Sequence, residues 1–321
     1  MSRSDSARIL ITGAAGFIGS NLAVRLLAEG HEVLGVDDLS QGVIEQVPEG
    51  VDFHQIDIRA PAIHALFRDV DAVFHLAAKN CISDCQREPV EAASINVVGT
   101  VNVFEAARCA GVRRVIHAES SALYEGVAEL PTAEDRVAAS SIYAITKLAA
   151  AEFGAAYARF HDMNLTALRY FCVYGPRQDY RRSVPPVMSA FIINLLRGER
   201  PVIYGSGDKR RDFVYVDDIN DFHMQCLTDA RTFGGTFNLG SGSSHSVREI
   251  LAEIQSILGT DIAPLHEPDL PGEAEATLAD IGRARALGWA PRVSLRAGLD
   301  ESIRYIREHV PSAQPHSAEA K

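Results

Sequence analysis

The sequence predicts an α/β protein in which helices cover both faces of a parallel sheet. Short β-branched runs such as "RILIT", "HEVLGVDD" and "DAVFHLAA" alternate with helical segments over the first half of the chain. Alternation of this kind is typical of parallel sheets. With 321 residues, the chain is long enough for a large core and for one or two domains.

Composition narrows the class of protein. Apolar residues make up 47% of the chain and charged residues 23%, as in ordinary soluble globular proteins. The net charge of -11 argues against a nucleic-acid or anionic-membrane partner. There is no 18-residue apolar run and no signal-peptide pattern, and the five cysteines form no even framework, so we expect a cytoplasmic protein. Cys81 and Cys85 lack a second Cys/His pair at zinc spacing, so no metal site is predicted.

The first strand, "RILIT", leads into the glycine-rich turn "GAAGFIG" and then into a helix that ends at Gly30. Glycines in such a turn let the backbone approach a pyrophosphate at the positive end of the helix. Asp37 ends the second strand, where a carboxylate binds ribose hydroxyls and repels a 2′-phosphate, which favours NAD over NADP. Asp57 ends the third strand, "VDFHQIDI", and is either an adenine contact or a solvated strand-end carboxylate.

The alternation continues through a long helix around "SINVVGTVNVFEAARCAG", the strand "RRVIHAES", a helix to about Arg159 and the buried strand "LTALRYFCVYGP". Next come the loop "GPRQDYRRSVPP", the amphipathic helix "VMSAFIINLLRGE" and a hairpin-like segment, "PVIYGSGDKRRDFVYVDDI". We therefore predict a Rossmann-type doubly wound sheet that binds NAD and carries the catalytic residues in residues 1–175, with later segments returning to it. Residues 176–310 are predicted to form mainly a smaller, mixed α/β substrate lobe, and residues 311–321 a disordered tail.

The stretch "SSIYAITK" places Tyr143 and Lys147 on one face of a helix, because residues four apart are neighbours there. A phenol is a poor base at neutral pH unless a nearby cation lowers its pKa. Lys147 is placed to be that cation.

Together with "GAAGFIG", the Tyr-Xxx-Xxx-Xxx-Lys pattern resembles the extended short-chain dehydrogenase/reductases, the branch of NAD-dependent nucleotide-sugar epimerases and dehydratases. The likeness runs from about Arg8 to about Arg307 and includes "HLAA", "SSALY", "RYFCVYGPRQ" and "RRDFVYVDDI". The resemblance implies that Tyr143 takes a proton from a sugar hydroxyl while hydride passes to NAD+. It also implies that Lys147 lowers the pKa of Tyr143 and bonds the nicotinamide ribose, and that Ser120 bonds the reacting oxygen.

The candidate site residues fall into three groups. The catalytic candidates are Tyr143, Lys147 and Ser120. The cofactor-binding candidates are Gly13, Gly16, Phe17, Ile18, Gly19, Asp37, Asp57, Ile58, Ala77 and Lys147. The substrate-binding candidates are Lys79, Ser121, Cys172, Arg177 and Arg211.

The two residues that directly follow Ser120 help to identify the reaction. The related dehydratases carry Asp-Glu there, and the decarboxylating relatives a glutamate, whereas this chain has Ser121 and Ala122. Neither side chain can act as an acid or base, so the resemblance favours epimerisation, with a UDP-hexose 4-epimerase as the leading form. A net NAD-dependent dehydrogenase or ketoreductase is the alternative. A non-catalytic NAD-binding regulator ranks last, because Tyr143 and Lys147 are both present.

Several positions depart from the family pattern for the substrate diphosphate. Arg211 matches the phosphate-binding arginine, but Cys172 replaces an asparagine, and Leu270 and Glu273 replace an arginine and an aspartate. Either another cation compensates or the substrate is an unusual nucleotide sugar or a sugar phosphate. Nearby arginines, whose alternative role is a solvated basic loop, are Arg177, Arg181, Arg182 and Arg210.

Lys79, in "AAKNCIS", follows the strand that should face the nicotinamide and the sugar. It is predicted either to meet a phosphate or carboxylate of the substrate or to point outward. The resemblance also implies a homodimer formed by the long helices around "NVVGTVNVFEAARCA" and "YAITKLAAAEFGAAYARF". The alternative is that the apolar faces of these helices simply cover the sheet.

Overall fold

The structure is a computed structural model that describes residues 6–181, 185–269 and 274–310. The strands are β1 Arg8–Thr12, β2 Glu32–Asp37, β3 Asp52–Gln55, β4 Ala72–His75, β5 Arg114–Ser120, β6 Leu165–Tyr170, β7 Cys172–Tyr174, β8 Val202–Tyr204, β9 Arg210–Tyr215, β10 Thr236–Leu239, β11 Ser244–Ser246 and β12 Leu265–Glu267. The helices are α1 Phe17–Ala28, α2 Ile82–Arg87, α3 Pro89–Ala93, α4 Thr100–Ala110, α5 Ile142–His161, α6 Val187–Leu196, α7 Val216–Thr228, α8 Val247–Leu258, α9 Gly282–Ala286 and α10 Leu295–His309.

The central element is a seven-stranded sheet in the order β10-β6-β5-β4-β1-β2-β3, and all of its neighbouring strands are parallel. The prediction of a Rossmann-type parallel sheet is therefore confirmed. The edge strand β10 comes from far along the chain and pairs with β6, with Phe237 opposite Leu168. Strands β1 and β4 are almost completely buried because helices cover both faces of the sheet.

Apolar side chains on the two faces of the sheet form separate clusters. Leu22 and Leu26 of α1 pack with Phe222 of α7 on one face. Val103 and Phe104 of α4 pack against the other face. Because each helix buries its apolar side against the sheet, the carboxyl ends of the strands remain open as one edge.

The second lobe contains a three-stranded sheet in the order β11-β9-β7 and a two-stranded sheet of β12 and β8. The prediction of a hairpin over residues 201–219 is wrong. Strand β8 pairs in parallel with β12, and β9 pairs with β7 and β11. Helices α6, α8 and α10 pack together beside these strands through Phe191, Ile254 and Leu299.

None of the helices within the described ranges combines the length and the apolarity needed to cross a bilayer. Those ranges also contain no group of three or more His, Cys, Asp or Glu side chains that could hold a metal ion. The predicted disordered tail, residues 311–321, lies outside the described residues.

Candidate functional site

A cavity of about 1360 Å³ opens between the carboxyl ends of the central strands and the second lobe. Every predicted site residue lines this cavity except Arg177. The carboxyl edge of a doubly wound sheet is where such folds bind ligands. The structure therefore brings together residues that lie as far apart in the chain as Gly13 and Arg211.

Two glycines, one in the turn between β1 and α1 and one in the first turn of α1, have room for backbone only. Gly13 has φ +76°, and a Cβ on it would lie 2.8 Å from the Ala77 nitrogen. A Cβ on Gly19 would lie 2.1 Å from the Gly13 oxygen. Since side chains are excluded here, the first turn of α1 faces the cavity with its amide groups accessible, which suits the pyrophosphate of a dinucleotide.

Two carboxylates line the end of the cavity beyond β2 and β3. Asp37 accepts hydrogen bonds from the backbone nitrogens of Ala15, at 3.1 Å, and Leu39, at 2.9 Å, and burial raises its pKa. Asp57 is bonded by Arg59, whose Nε lies 3.0 and 2.9 Å from its two carboxylate oxygens and which lowers the pKa of Asp57. Asp37 is thus held against the glycine turn, where a ribose of the dinucleotide would lie.

The helix that carries the phenol has a well-defined start. Ser141 is its N-cap, and the Ser141 hydroxyl accepts from the Ala144 nitrogen at 3.1 Å. The carboxylate of Glu125 accepts from the Ser140 and Ser141 hydroxyls at 2.9 and 2.8 Å. These bonds fix where α5 begins, and so they fix the direction in which Tyr143, in the first turn of α5, enters the cavity.

Lys147 is buried one turn beyond Tyr143, and its ammonium donates to the Ala118 carbonyl at 2.7 Å. Burial lowers the pKa of Lys147 to about 8, and the negative charge of Glu119 acts in the opposite direction. At neutral pH the side chain is therefore mostly cationic. A buried cation beside a phenol stabilises the phenolate.

The strand next to this helix ends in Glu119 and Ser120. The Ser120 hydroxyl accepts from the Ala122 nitrogen at 3.1 Å. The buried Glu119 carboxylate accepts from Arg169 at 2.7 Å, and Arg169 also donates to the Tyr124 hydroxyl at 2.9 Å. Glu119 is not evident from the sequence, because nothing in the order of residues indicates that Arg169 lies opposite it.

Lys79 lines the cavity, and its ammonium forms an ion pair with Glu88. Asn96, which the sequence analysis did not single out, holds the backbone of this segment. It accepts from the Lys79 nitrogen at 2.8 Å and donates to the Lys79 oxygen and the Thr146 hydroxyl at 2.9 and 3.0 Å. Asn96 lies in a π-helical turn, a feature often found at functional sites but not visible in a single sequence.

The second lobe contributes Cys172 and Arg211 to the cavity wall. Arg177 instead lies behind the glycine turn, with its Nη1 3.4 Å from the Ser20 oxygen. Arg181 donates to the Gln41 oxygen at 3.1 Å and is not among the lining residues that the structure describes. Three positions that the sequence analysis weighed for the diphosphate lie outside the described residues: Arg182, Leu270 and Glu273.

The site combines a glycine turn at the start of a helix, a carboxylate at the end of the second strand and a Tyr-Lys pair. This combination defines a dinucleotide-dependent enzyme of the short-chain dehydrogenase/reductase type. The chain belongs to the NAD dependent epimerase/dehydratase family, whose sequence model matches residues 9–240. The predictions of the family and of an NAD-dependent enzyme are thereby confirmed.

Individual relatives match over nearly the whole chain. A UDP-glucose 4-epimerase of Mycolicibacterium smegmatis is 37% identical over 310 residues, which cover 94% of this chain and 98% of the relative. The crystal structure of a UDP-glucose 4-epimerase from Thermotoga maritima with UDP-glucose has a TM-score of 0.90 at 33% identity, with 94% and 99% of the two chains covered. A Thermus thermophilus UDP-glucose 4-epimerase in complex with NAD has a TM-score of 0.87 at 32% identity, with 94% and 100% covered.

Proposed function

We propose that this protein is an NAD-dependent UDP-hexose 4-epimerase. The proposal depends on one observation. A single cavity is lined by Tyr143, Lys147 and Ser120, by the glycine turn suited to a dinucleotide, and by Arg211. Relatives and structural neighbours that are UDP-glucose 4-epimerases support it. The second lobe, which supplies Arg211, is proposed to bind the nucleotide sugar.

In this proposal each catalytic residue has a defined task. Tyr143 takes the proton from the hydroxyl at carbon 4 of the sugar, and Lys147 keeps the resulting phenolate stable. Ser120 donates a hydrogen bond to the same oxygen as it becomes a carbonyl. NAD, when bound, supplies a reversible acceptor for the hydride of carbon 4. In this proposal the ketone turns in the cavity, and Tyr143 then returns the proton to the oxygen as the hydride comes back to the other face of carbon 4.

The surroundings of Ser120 favour epimerisation over elimination or decarboxylation. Ser121 and Ala122, the next residues along the cavity wall, carry no group that transfers protons as an acid or base. Glu119 does line the cavity, but its carboxylate is bonded by Arg169. Arg169 holds this carboxylate in a buried ion pair, so the carboxylate is already engaged by the protein.

One observation supports a second candidate, an epimerase of an unusual nucleotide sugar or of a sugar phosphate. Cys172 lies in the cavity wall at the position of the family's asparagine, and a thiol is only a weak hydrogen-bond donor. A substrate pocket altered at this position would discriminate between sugars without changing the proton relay.

The deciding experiment is a turnover assay without added cofactor. Purified protein is mixed with UDP-glucose, UDP-galactose, their N-acetyl and uronic forms, or hexose phosphates, and proton NMR follows each sugar. We expect UDP-glucose and UDP-galactose to interconvert, because a bound cofactor is regenerated in each turnover. Conversion of a sugar phosphate alone would support the second candidate. Conversion only with stoichiometric added NAD or NADH would instead indicate a net dehydrogenase.

We also propose that the protein is a cytoplasmic homodimer. All five cysteines are free thiols, which suits a reducing compartment. On the outer side of α5, Ile145 is 52% exposed and Phe153 is 44% exposed, and Val98, before α4, is 61% exposed. Exposed apolar residues grouped on neighbouring helices mark an interface, and a two-fold axis would bring the same patch of both copies together.

Charge introduced into this patch should dissociate the dimer. We expect the wild-type chain to elute with twice the monomer mass in size-exclusion chromatography with light scattering, and Phe153→Glu to elute as a monomer, because burying an unpaired carboxylate in an interface is costly. Val24→Glu is a matched control, since Val24 is 39% exposed but lies on α1, across the sheet. A monomeric wild-type chain would contradict the dimer.

A further inference from the structure

The residues around β9 alternate between the cavity and the opposite side of the strand. Lys209, Arg211 and Phe213 line the cavity. Between them, Arg210 bonds Glu249 and the Ser244 carbonyl on the opposite side of the strand. Because successive side chains of a strand point to opposite faces, the stretch "KRRDF" places two cations two residues apart, about 7 Å, on the cavity face.

Lys209 is held in place at the cavity wall. Its side chain is only 11% exposed, and its ammonium lies 2.6 Å from the Asp269 carboxylate. Asp269 itself packs against Gly205, in the turn after β8. Lysine is rarely this buried unless it is paired, and an ammonium has three N–H groups, so it can bond a carboxylate and a phosphate at once.

Other cationic side chains that line the cavity, within the described residues, lie elsewhere along its wall and are bonded to other partners. Arg59 is bonded to Asp57, near the end of the cavity next to Asp37. Lys147 donates to the Ala118 carbonyl beside Tyr143. Arg197, on the second lobe, also lines the cavity, and its guanidinium lies 3.7 Å from the Glu199 carboxylate. Lys209, directly before β9, and Arg211, within β9, lie two residues apart on the cavity wall, where a substrate lying across from the dinucleotide would carry its phosphates.

We propose that Lys209 binds the diphosphate of the nucleotide-sugar substrate together with Arg211, and that Asp269 orients the Lys209 ammonium toward it. The inference rests on the proposed function and extends it by naming a second cation for the two phosphates. It also accounts for Leu270, which lies where the family pattern has an arginine. A diphosphate requires cationic donors in a cavity, and Lys209 supplies the one that position 270 lacks.

The test compares ligands that differ in their phosphates. Calorimetry measures the binding of UDP and of uridine to the wild-type protein, to Lys209→Met and to Arg210→Met, the neighbour on the opposite face. We expect Lys209→Met to weaken UDP binding by about ten- to a hundredfold and to leave uridine within twofold, because one charge-assisted hydrogen bond is lost. The Michaelis constant for the UDP-sugar should rise while kcat changes little. Arg210→Met should match the wild type.

A double variant separates contact from simple charge balance. If Lys209 only neutralises Asp269, then Lys209→Met combined with Asp269→Asn will bind UDP as the wild type does, and the inference is overturned. If Lys209 contacts the diphosphate, the double variant will remain at least about tenfold weaker. Unchanged UDP binding in Lys209→Met alone would overturn the inference while leaving the proposed function intact. A wild-type protein that binds no UDP and converts no UDP-sugar would overturn both.

Discussion

Replacing Tyr143 by phenylalanine is expected to lower kcat by about 10²- to 10⁴-fold, the usual contribution of a positioned general acid–base group. The aromatic ring is nearly buried and packs with Cys85, Ala92 and Ile82. Phenylalanine keeps this packing and removes only the hydroxyl. The variant should therefore fold normally and bind NAD as tightly as the wild type, with the loss confined to turnover.

The measurement is steady-state kinetics on the favoured UDP-sugar, with bound cofactor released and quantified for each protein. Tyr157→Phe is the matched control, because it makes the same change on the same helix, where the Tyr157 hydroxyl donates to Glu105 at 3.2 Å outside the cavity wall. The control should keep activity within about twofold, since its hydroxyl touches no reacting atom. Full activity in Tyr143→Phe would contradict the proton relay.

The second large effect is expected from Lys147→Met, with a loss of about a hundredfold or more at pH 7. A neighbouring opposite charge shifts the pKa of a titrating group by roughly one to three units, and the Tyr143 phenol loses this stabilisation when the ammonium is removed. A phenol without a nearby cation ionises near pH 10, roughly. The residual rate of the variant should therefore rise steadily with pH.

The wild type should show the opposite trend at high pH. The pKa of Lys147 is lowered to about 8 by burial, so the cation is lost, and activity falls, as the pH rises through this value. Two histidines and a cysteine near Lys147 keep their charge there. Burial lowers the pKa of His75 to about 3 and holds that of His117 well below its usual value, so both are neutral. Burial raises the pKa of Cys85 to about 11. A pH–rate profile that is the same in both proteins would contradict this role of Lys147.

The lowered pKa of Lys147 also predicts that Lys147→Met loses activity without losing stability. In the unfolded chain a lysine has a pKa near 10.4, roughly, so the buried cation of Lys147 destabilises the fold below about pH 8, and this cost disappears as the pH rises toward the unfolded value. Methionine carries no charge. Thermal unfolding of Lys147→Met at pH 7 should therefore give a melting temperature no lower than that of the wild type.

Much of the site could be predicted because its signals are local. The glycine turn, the carboxylate that ends β2 and the four-residue spacing of Tyr143 and Lys147 are each encoded within a few residues. Cavity-lining positions such as Gly13 and Asp37 were identified in this way, whereas Ser120 was identified through the family resemblance. Arg177 was predicted wrongly, because its motif is present but its side chain contacts the Ser20 oxygen and does not line the cavity.

The hairpin prediction failed for a physical reason of the same kind. A glycine-rich turn between two β-branched runs favours a hairpin locally, but β8 finds its partner in β12, more than fifty residues later. Pairing between distant strands is decided by which edges meet when the lobes pack, and no local pattern records this. The links from Asn96 to Lys79 and from Glu119 to Arg169 are equally non-local.

The sequence by itself determined the parallel sheet, the dinucleotide turn, the preference for NAD and the spacing of Tyr143 and Lys147, because periodicity and short motifs specify local backbone geometry. Only the tertiary structure decided which cations reach the cavity. Lys209 and Asp269 are 60 residues apart in the chain, yet they form the ion pair beside Arg211. Contacts of this kind arise when separate elements pack, so the diphosphate site that we propose became visible only in the folded chain.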